Sequence, residues 1–161
     1  MRDEFNNIVL DILNNQEFDK LKLYPHHGIT RHEHCLRVAY YTYLVTKVLH
    51  LKYIDATRAA LLHDFFTDEV SELKAFSRYR NHPKYALINS KKYYDINKLQ
   101  ENIILRHMFP VTFIPPKYIE SWIVDIIDDI SAVYDKIYST KRGLVTVTNS
   151  LIIFIVSVFK H

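Results

Sequence analysis

The chain has 161 residues, 21 Lys+Arg against 18 Asp+Glu, 48% apolar residues and 14% aromatic ones. That is the length of one domain, enough to close a hydrophobic core, and 24% charged residues of nearly balanced sign exclude a disordered chain. The net charge of +3 and the pI near 8.8 are spread along the sequence, so they do not mark a nucleic-acid binder.

In chain order, Phe5, Ile8, Val9 and Ile12 recur at spacings of three and four, which predicts an amphipathic first helix. LKLYPHHGI reads as a turn punctuated by Pro25 and Gly28. Thr30 and Glu33 have the spacing of a capping box and open a long helix through HEHCLRVAYYTYLVTKVLHL. Asp55 is the expected cap of ATRAALLHDFF, apolar on nearly all sides and so a buried central helix. TDEVSELKAFSRYRN is polar and mixed, a short helix or lid. HPKYALINSKKYY and NKLQENIILRHM follow as two helices, with His82 opening the first ahead of Pro83 and Asp95 or Asn97 capping the second. After a loop marked by Pro110, Pro115 and Pro116, KYIESWIVDIIDDISAVYDKIY carries Ile119, Trp122, Ile123, Ile126, Ile127, Ile130 and Val133 at helical spacing.

The pattern predicts an all-α fold of about six to eight helices in a single domain over 1–161. Its core spans about 24–138, with the N-terminal helix and an apolar C-terminal segment packed on it. That segment, 144–159, is ambiguous between helix and strand. Its longest apolar run is 151–156, well short of the roughly 20 residues a membrane span needs. The start, MRDEFNNIVLDILNN, has acids where a signal peptide needs basic residues. The expectation is a cytoplasmic protein with no membrane partner.

Glycine and cysteine exclude more. Gly28 and Gly143 are the only glycines, so a Walker loop, a dinucleotide fingerprint and a kinase lid are all ruled out. Cys35 stands alone, which forbids an internal disulfide and a cysteine-based zinc site; it reads as a buried small hydrophobe.

The chemistry lies in the nine histidines and the acids near them. His63 and Asp64 end an apolar helix, where a charged Asp is costly unless paired or bound to a cation. His34 lies one helix earlier, His82 and His107 on the next two, and Asp128 within the last apolar helix. Imidazole nitrogens with carboxylate oxygens suit Mn, Fe, Co, Ni or Zn rather than Ca. Ligands on separate helices of a bundle are fixed by packing.

The series His34, His63-Asp64, His82, His107, Asp128 resembles the HD-domain superfamily of metal-dependent phosphohydrolases, and within it a group of small stand-alone bacterial proteins. The resemblance covers about 24–138 and rests on HEHCLRVAYYTYLV, AALLHDFF, NHPKYAL, ILRHMFPVT and IVDIIDDISA. It implies His34, His63, Asp64 and Asp128 as the primary metal ligands, with His82 and His107 on a second ion and Asp64 bridging the two. The implied cofactor is one or two divalent ions from the set above, with Mg also allowed.

The implied reaction is attack of metal-bound water on a phosphomonoester, phosphodiester or phosphoanhydride, with a nucleotide as the expected substrate. The alternative is a regulatory HD module that binds metal or nucleotide without turnover. No nucleic-acid duplex is expected as a partner; a homodimer is compatible with the sequence.

Two departures from the family stand out. Asp129 follows Asp128 where many relatives carry Lys, which weakens the choice between them, and Phe65-Phe66 replaces a common Ile-Gly continuation.

The remaining residues leave alternatives. Arg37, three residues after His34, can contact phosphate or bridge a carboxylate. Arg58, on an apolar helix, can serve a substrate phosphate, though a structural carboxylate suits it better. Both join Asp64 as candidate catalytic residues. Of Asp125, Asp128 and Asp129, Asp125 is the one expected to face solvent. His26 and His27 lie in a loop that could border the metal mouth but read first as solvated, and His32 points away from His34.

Overall fold

The computed structural model describes residues 2–26, 28–67 and 75–139. The described chain is all-α: seven α-helices, one 3-10 helix and a two-stranded hairpin. None of these helices is long and apolar enough to cross a membrane. The 144–159 segment, residues 68–74 of the polar 67–81 insert and His27 lie outside the described residues.

Helix α1 (Arg2–Leu13) buries Phe5, Val9 and Ile12, the stripe its spacing calls for. Its outer end is tied down through Glu4, which accepts from Tyr43 (2.9 Å) and Tyr53 (3.0 Å) and pairs with Lys47. Asn15 caps the one-turn helix α2 (Gln16–Asp19), accepting from the Glu17 and Phe18 amides.

The segment read as a turn folds instead into a 3-10 helix (Lys20–Leu23) and a short antiparallel hairpin, β1 (Pro25–His26) with β2 (Ile29–Thr30). Gly28 sits in the bend at φ 95°, a conformation that costs a residue without a side chain least.

Helix α3 (Arg31–Val48) begins at the expected capping box. The Glu33 amide donates to Thr30 Oγ1 (3.2 Å) and the Thr30 amide donates to Glu33 Oε2 (2.8 Å). Such a cap contributes about 1 kcal/mol.

Helix α4 (Tyr53–Leu62) starts from Lys52, not Asp55. Asp55 lies within the first turn and accepts from Asn97 (2.8 Å) and Gln100 (3.2 Å), which joins α4 to α6. Ala56, Ala59 and Ala60 are wholly buried. These small side chains let α3 and α4 approach closely, and α3 packs most extensively on α4 and then on α7.

Helix α5 (Ala75–Tyr93) begins well before His82 and holds Pro83 in its interior, so His82 does not open a helix. The proline removes one intrahelical donor but does not end the helix, against the usual reading of that residue. Helix α6 (Lys98–Arg106) is capped by Asn97, with Gln100 completing a second capping box, and His107 follows as its C-cap.

Helix α7 (Ile119–Ser139) carries more apolar residues than one face can bury. Val124 and Ile127 enter the core, whereas Ile119, Trp122, Ile126 and Val133 remain exposed. With Tyr41, Val45 and Leu49 of α3 and its C-cap, several of them line an apolar groove of about 390 Å³.

Candidate metal centre

Six side chains named from the sequence converge in the interior: His34 on α3, His63 and Asp64 at the end of α4, His82 on α5, His107 after α6 and Asp128 on α7. All six are buried. No element contributes the cluster alone, so helix packing sets its geometry.

The proton positions follow from the backbone. His63 Nδ1 lies 2.7 Å from the Ala60 carbonyl and His107 Nδ1 lies 2.8 Å from the Ile104 carbonyl. A carbonyl oxygen only accepts, so each Nδ1 carries the hydrogen and donates. In the neutral ring, Nε2 is then a bare lone pair aimed into the cluster. The helix ends use these rings to satisfy orphan carbonyls and at the same time set their direction.

What the lone pairs meet is the decisive feature. His63 Nε2 lies 3.4 Å from Asp128 Oδ1 and 4.0 Å from Asp64 Oδ2. His82 Nε2 lies 2.9 Å from His107 Nε2 and 3.2 Å from Asp64 Oδ1. His107 Nε2 is 3.7 Å from the same Asp64 oxygen.

Despite these approaches, His63 Nε2 and Asp64 Oδ1 are buried atoms without a hydrogen bond of acceptable geometry. His107 Nε2 accepts from His82 Nε2, but the neutral His63 Nε2 and Asp64 Oδ1 face further acceptors. Such an arrangement is unfavourable in a low-dielectric interior unless a proton or a cation lies between them.

The electrostatics have the same cause. Burial alone would push His63 down, but the Asp128 and Asp64 carboxylates outweigh it and raise it above its ordinary value. Burial works against charge on Asp64 and Asp128 as well. Nevertheless His63 and His82 hold Asp64 well below the carboxylate range, and His63 and His34 do the same for Asp128. His107, buried and beside His63 and His82, is pushed down to about 3 and is neutral. The donor set is therefore two ionised carboxylates with imidazoles around them, which matches a mixed nitrogen and oxygen site for a divalent transition ion. Three-residue groups with ligand atoms within 4.8 Å of one another include His34, His63 and Asp128, and His63, Asp64 and His107.

Two candidates from the sequence are occupied elsewhere. Arg58 forms a two-point pair with Asp11, at 2.6 and 2.7 Å, and donates to the Ile8 carbonyl at 2.8 Å. It joins α4 to α1, so a carboxylate is the partner the structure gives it. Arg37 pairs with Asp135 and lies over the Tyr134 ring. It too bridges a carboxylate.

Asp135 was not singled out in the sequence. It is wholly buried, and its Oδ2 lies 3.0 Å from His34 Nδ1, whose Nε2 is 2.8 Å from Asp128 Oδ1. A carboxylate behind a histidine fixes the tautomer and ring direction of a metal ligand. The available signal was spacing: Asp135 lies seven residues, two helical turns, after Asp128 on the same face.

The three acids of α7 divide differently from the expectation. Asp129 is exposed and Asp125 is buried, accepting from the Phe109 amide at 3.2 Å. Burial together with Asp129 and Asp128 raises Asp125 to about 7. Asp128, which enters the cluster, is thereby separated from Asp129 on structural grounds.

His32 packs on Phe18, ring centres 5.4 Å apart, outside the cluster. Cys35 is buried, as its setting implied, and burial raises its thiol well above the ordinary value.

Residues 31–133 match a family model described as HD domain. No curated protein and no solved structure matches the chain.

Proposed function

The chain belongs to the HD-domain family, and from that premise and the geometry of the cluster we propose that it is a metal-dependent phosphohydrolase acting on a nucleotide or related phosphate ester or anhydride. The observation that carries this reading is the convergence of the buried His63, His82 and His107 Nε2 atoms on the ionised Asp64 and Asp128 carboxylates.

His34, His63, Asp64 and Asp128 would hold one divalent ion. Asp64 with His82 and His107 would hold a second. When bound, such ions supply a water acidic enough to act as nucleophile near neutral pH and positive charge for the phosphate oxygens.

This chain's own residues do the positioning. The Ala60 and Ile104 carbonyls hold the His63 and His107 rings with Nε2 inward. Asp135, itself paired with Arg37, holds His34 from behind. Phe65 and Phe66, both buried, follow Asp64, and the Phe66 ring lies 5.2 Å from that of His82. They exclude water from that flank, which strengthens the charge interactions within.

The test is metal analysis of protein purified without chelator, followed by a hydrolysis panel of nucleoside monophosphates, phosphodiesters and dinucleoside polyphosphates. One or two transition ions per chain with turnover is the expected result. Metal without turnover on any substrate would favour a binding module. Absence of both metal and turnover, with every divalent ion supplied, would overturn the reading.

A further inference from the structure

The six cluster residues above stand on helices or at helix ends and are buried. One further histidine reaches them from a different kind of element. His26, half-buried on β1, has its ring centre 4.4 Å from that of His34. A ring nitrogen of His26 lies within 4.8 Å of ligand atoms of both His34 and Asp64. Bonds of about 2.1 Å place opposite donors on one ion about 4.2 Å apart. A small side-chain adjustment therefore suffices for all three to share an ion.

The hairpin that carries His26 is held to the same region. The Arg31 amide donates to the Tyr24 carbonyl at 2.9 Å. The Arg31 guanidinium lies over the Tyr24 and Phe66 rings and donates to the Phe66 carbonyl at 2.6 Å. This fastens the base of the hairpin to the residues that follow Asp64.

The strand itself has two residues, pairs only with β2 and turns back through Gly28. His26 can withdraw at the cost of a small hairpin, whereas withdrawal of any of the other six would disturb helix packing. Its partial exposure places it on the solvent side of the cluster, where a substrate must arrive.

We propose that His26 is a further metal donor of the site, binding the ion shared by His34 and Asp64 in the substrate-free protein and giving up its position to a phosphate oxygen of the substrate. The inference rests on the phosphohydrolase reading. The exchange is one lone pair for another: the His26 nitrogen leaves the ion, a phosphate oxygen replaces it, and no substrate bond is made or broken in that step.

The test uses full-length protein loaded with Co²⁺, whose ligating histidines give hyperfine-shifted ring N–H signals in proton NMR. The wild type should show one such signal that is missing from His26→Ala and retained in His32→Ala. Inorganic phosphate added to the wild type should remove that same signal. By chelator competition, His26→Ala should bind Co²⁺ about tenfold more weakly, the lower end of what altered ligand support costs. Its phosphate affinity should rise severalfold, because no ligand has to be displaced.

An identical signal count in His26→Ala and wild type would overturn the assignment while leaving the metal centre standing. A His26 signal that persists at saturating phosphate would overturn the displacement. A wild type that binds no Co²⁺ would remove the phosphohydrolase reading and this inference together. If His26→Ala misfolds, His26→Gln, which also lacks a ring N–H, identifies the signal in the same way.

Discussion

Two charged regions of this molecule follow opposite rules. Where α1 meets α3 and α4, the charges answer one another: Arg58 takes both oxygens of Asp11, and Glu4 collects Lys47, Tyr43 and Tyr53. Burial there is partial. In the cluster, Asp64, Asp128 and the Nε2 atoms of His63, His82 and His107 are buried and directed at a common centre. The first arrangement holds helices together. The second gathers ionised carboxylates and imidazole nitrogens in the interior, an arrangement that a cation would stabilise.

The largest effect that would break or confirm this contrast comes from the cluster itself. His34→Ala, His63→Ala, Asp64→Ala and Asp128→Ala should each lower metal content and reduce turnover by at least about a thousandfold, with circular dichroism showing helical content mostly kept. Wild-type activity in Asp64→Ala would end the assignment.

A smaller effect is expected one residue further out. Asp135→Asn should weaken metal binding about 10- to 100-fold by releasing His34 from its fixed direction. The measurement is chelator competition; an unchanged affinity would reduce Asp135 to a packing partner of Arg37. Arg58→Ala, on the other side of the contrast, should leave metal content and turnover per folded molecule unchanged. It should lower stability by about 1 kcal/mol, the usual scale for a partly exposed pair. A large loss of activity at full metal occupancy would return Arg58 to the catalytic machinery and dissolve the contrast.

Asp125 gives the smallest and most specific signal. Its carboxyl, at about 7 when folded against 3.8 in its ordinary state, keeps its proton while the unfolded chain loses it. Metal-free stability is therefore lost as pH rises from about 4 to 7. Asp125→Asn keeps the acceptor for the Phe109 amide and should flatten that slope, with a gain of up to about 1–2 kcal/mol at pH 8, on the scale of 1.4 kcal/mol per pKa unit. Denaturant melts at both pH values check it, and parallel curves would contradict it.

Much of this was legible in the sequence because the determining signals are local. Thr30 with Glu33 sets the start of α3, and the apolar spacing of α1 sets its buried face. The series His34, His63, Asp64, His82, His107 and Asp128 carries the family resemblance, and the structure brings all six together.

Signals that depend on a distant partner were not legible. Arg58 takes a carboxylate 47 positions away, so its own helix does not say which acceptor wins. Asp55 was available as a cap but serves α6 instead, since Asn97 and Gln100 offer it two donors. Asp125 looked solvent-facing because α7 is apolar on more than one side, which blurs where its wet face lies. Pro83 read as a boundary although a helix can tolerate one lost donor. His26 carried only the weak signal of a loop histidine, and its nearness to His34 exists only once the hairpin has formed.

The central claim is that the cluster is a binding site for a divalent cation. The most direct measurement is thermal unfolding of chelator-treated protein, titrated with Mn²⁺ at pH 6 and at pH 8. The raised His63 supplies a stand-in positive charge below its ordinary value of 6.5. That contribution is lost as pH climbs through its higher folded value, so the metal-free protein should be weaker at pH 8. Saturating ion should raise stability by about 3 kcal/mol at a hundredfold excess over Kd, roughly 5–10 °C in Tm. The rise should continue with the logarithm of free ion above Kd, be larger at pH 8 than at pH 6, and disappear in Asp64→Asn. A Tm indifferent to Mn²⁺, Co²⁺ and Zn²⁺ at both pH values would contradict the account.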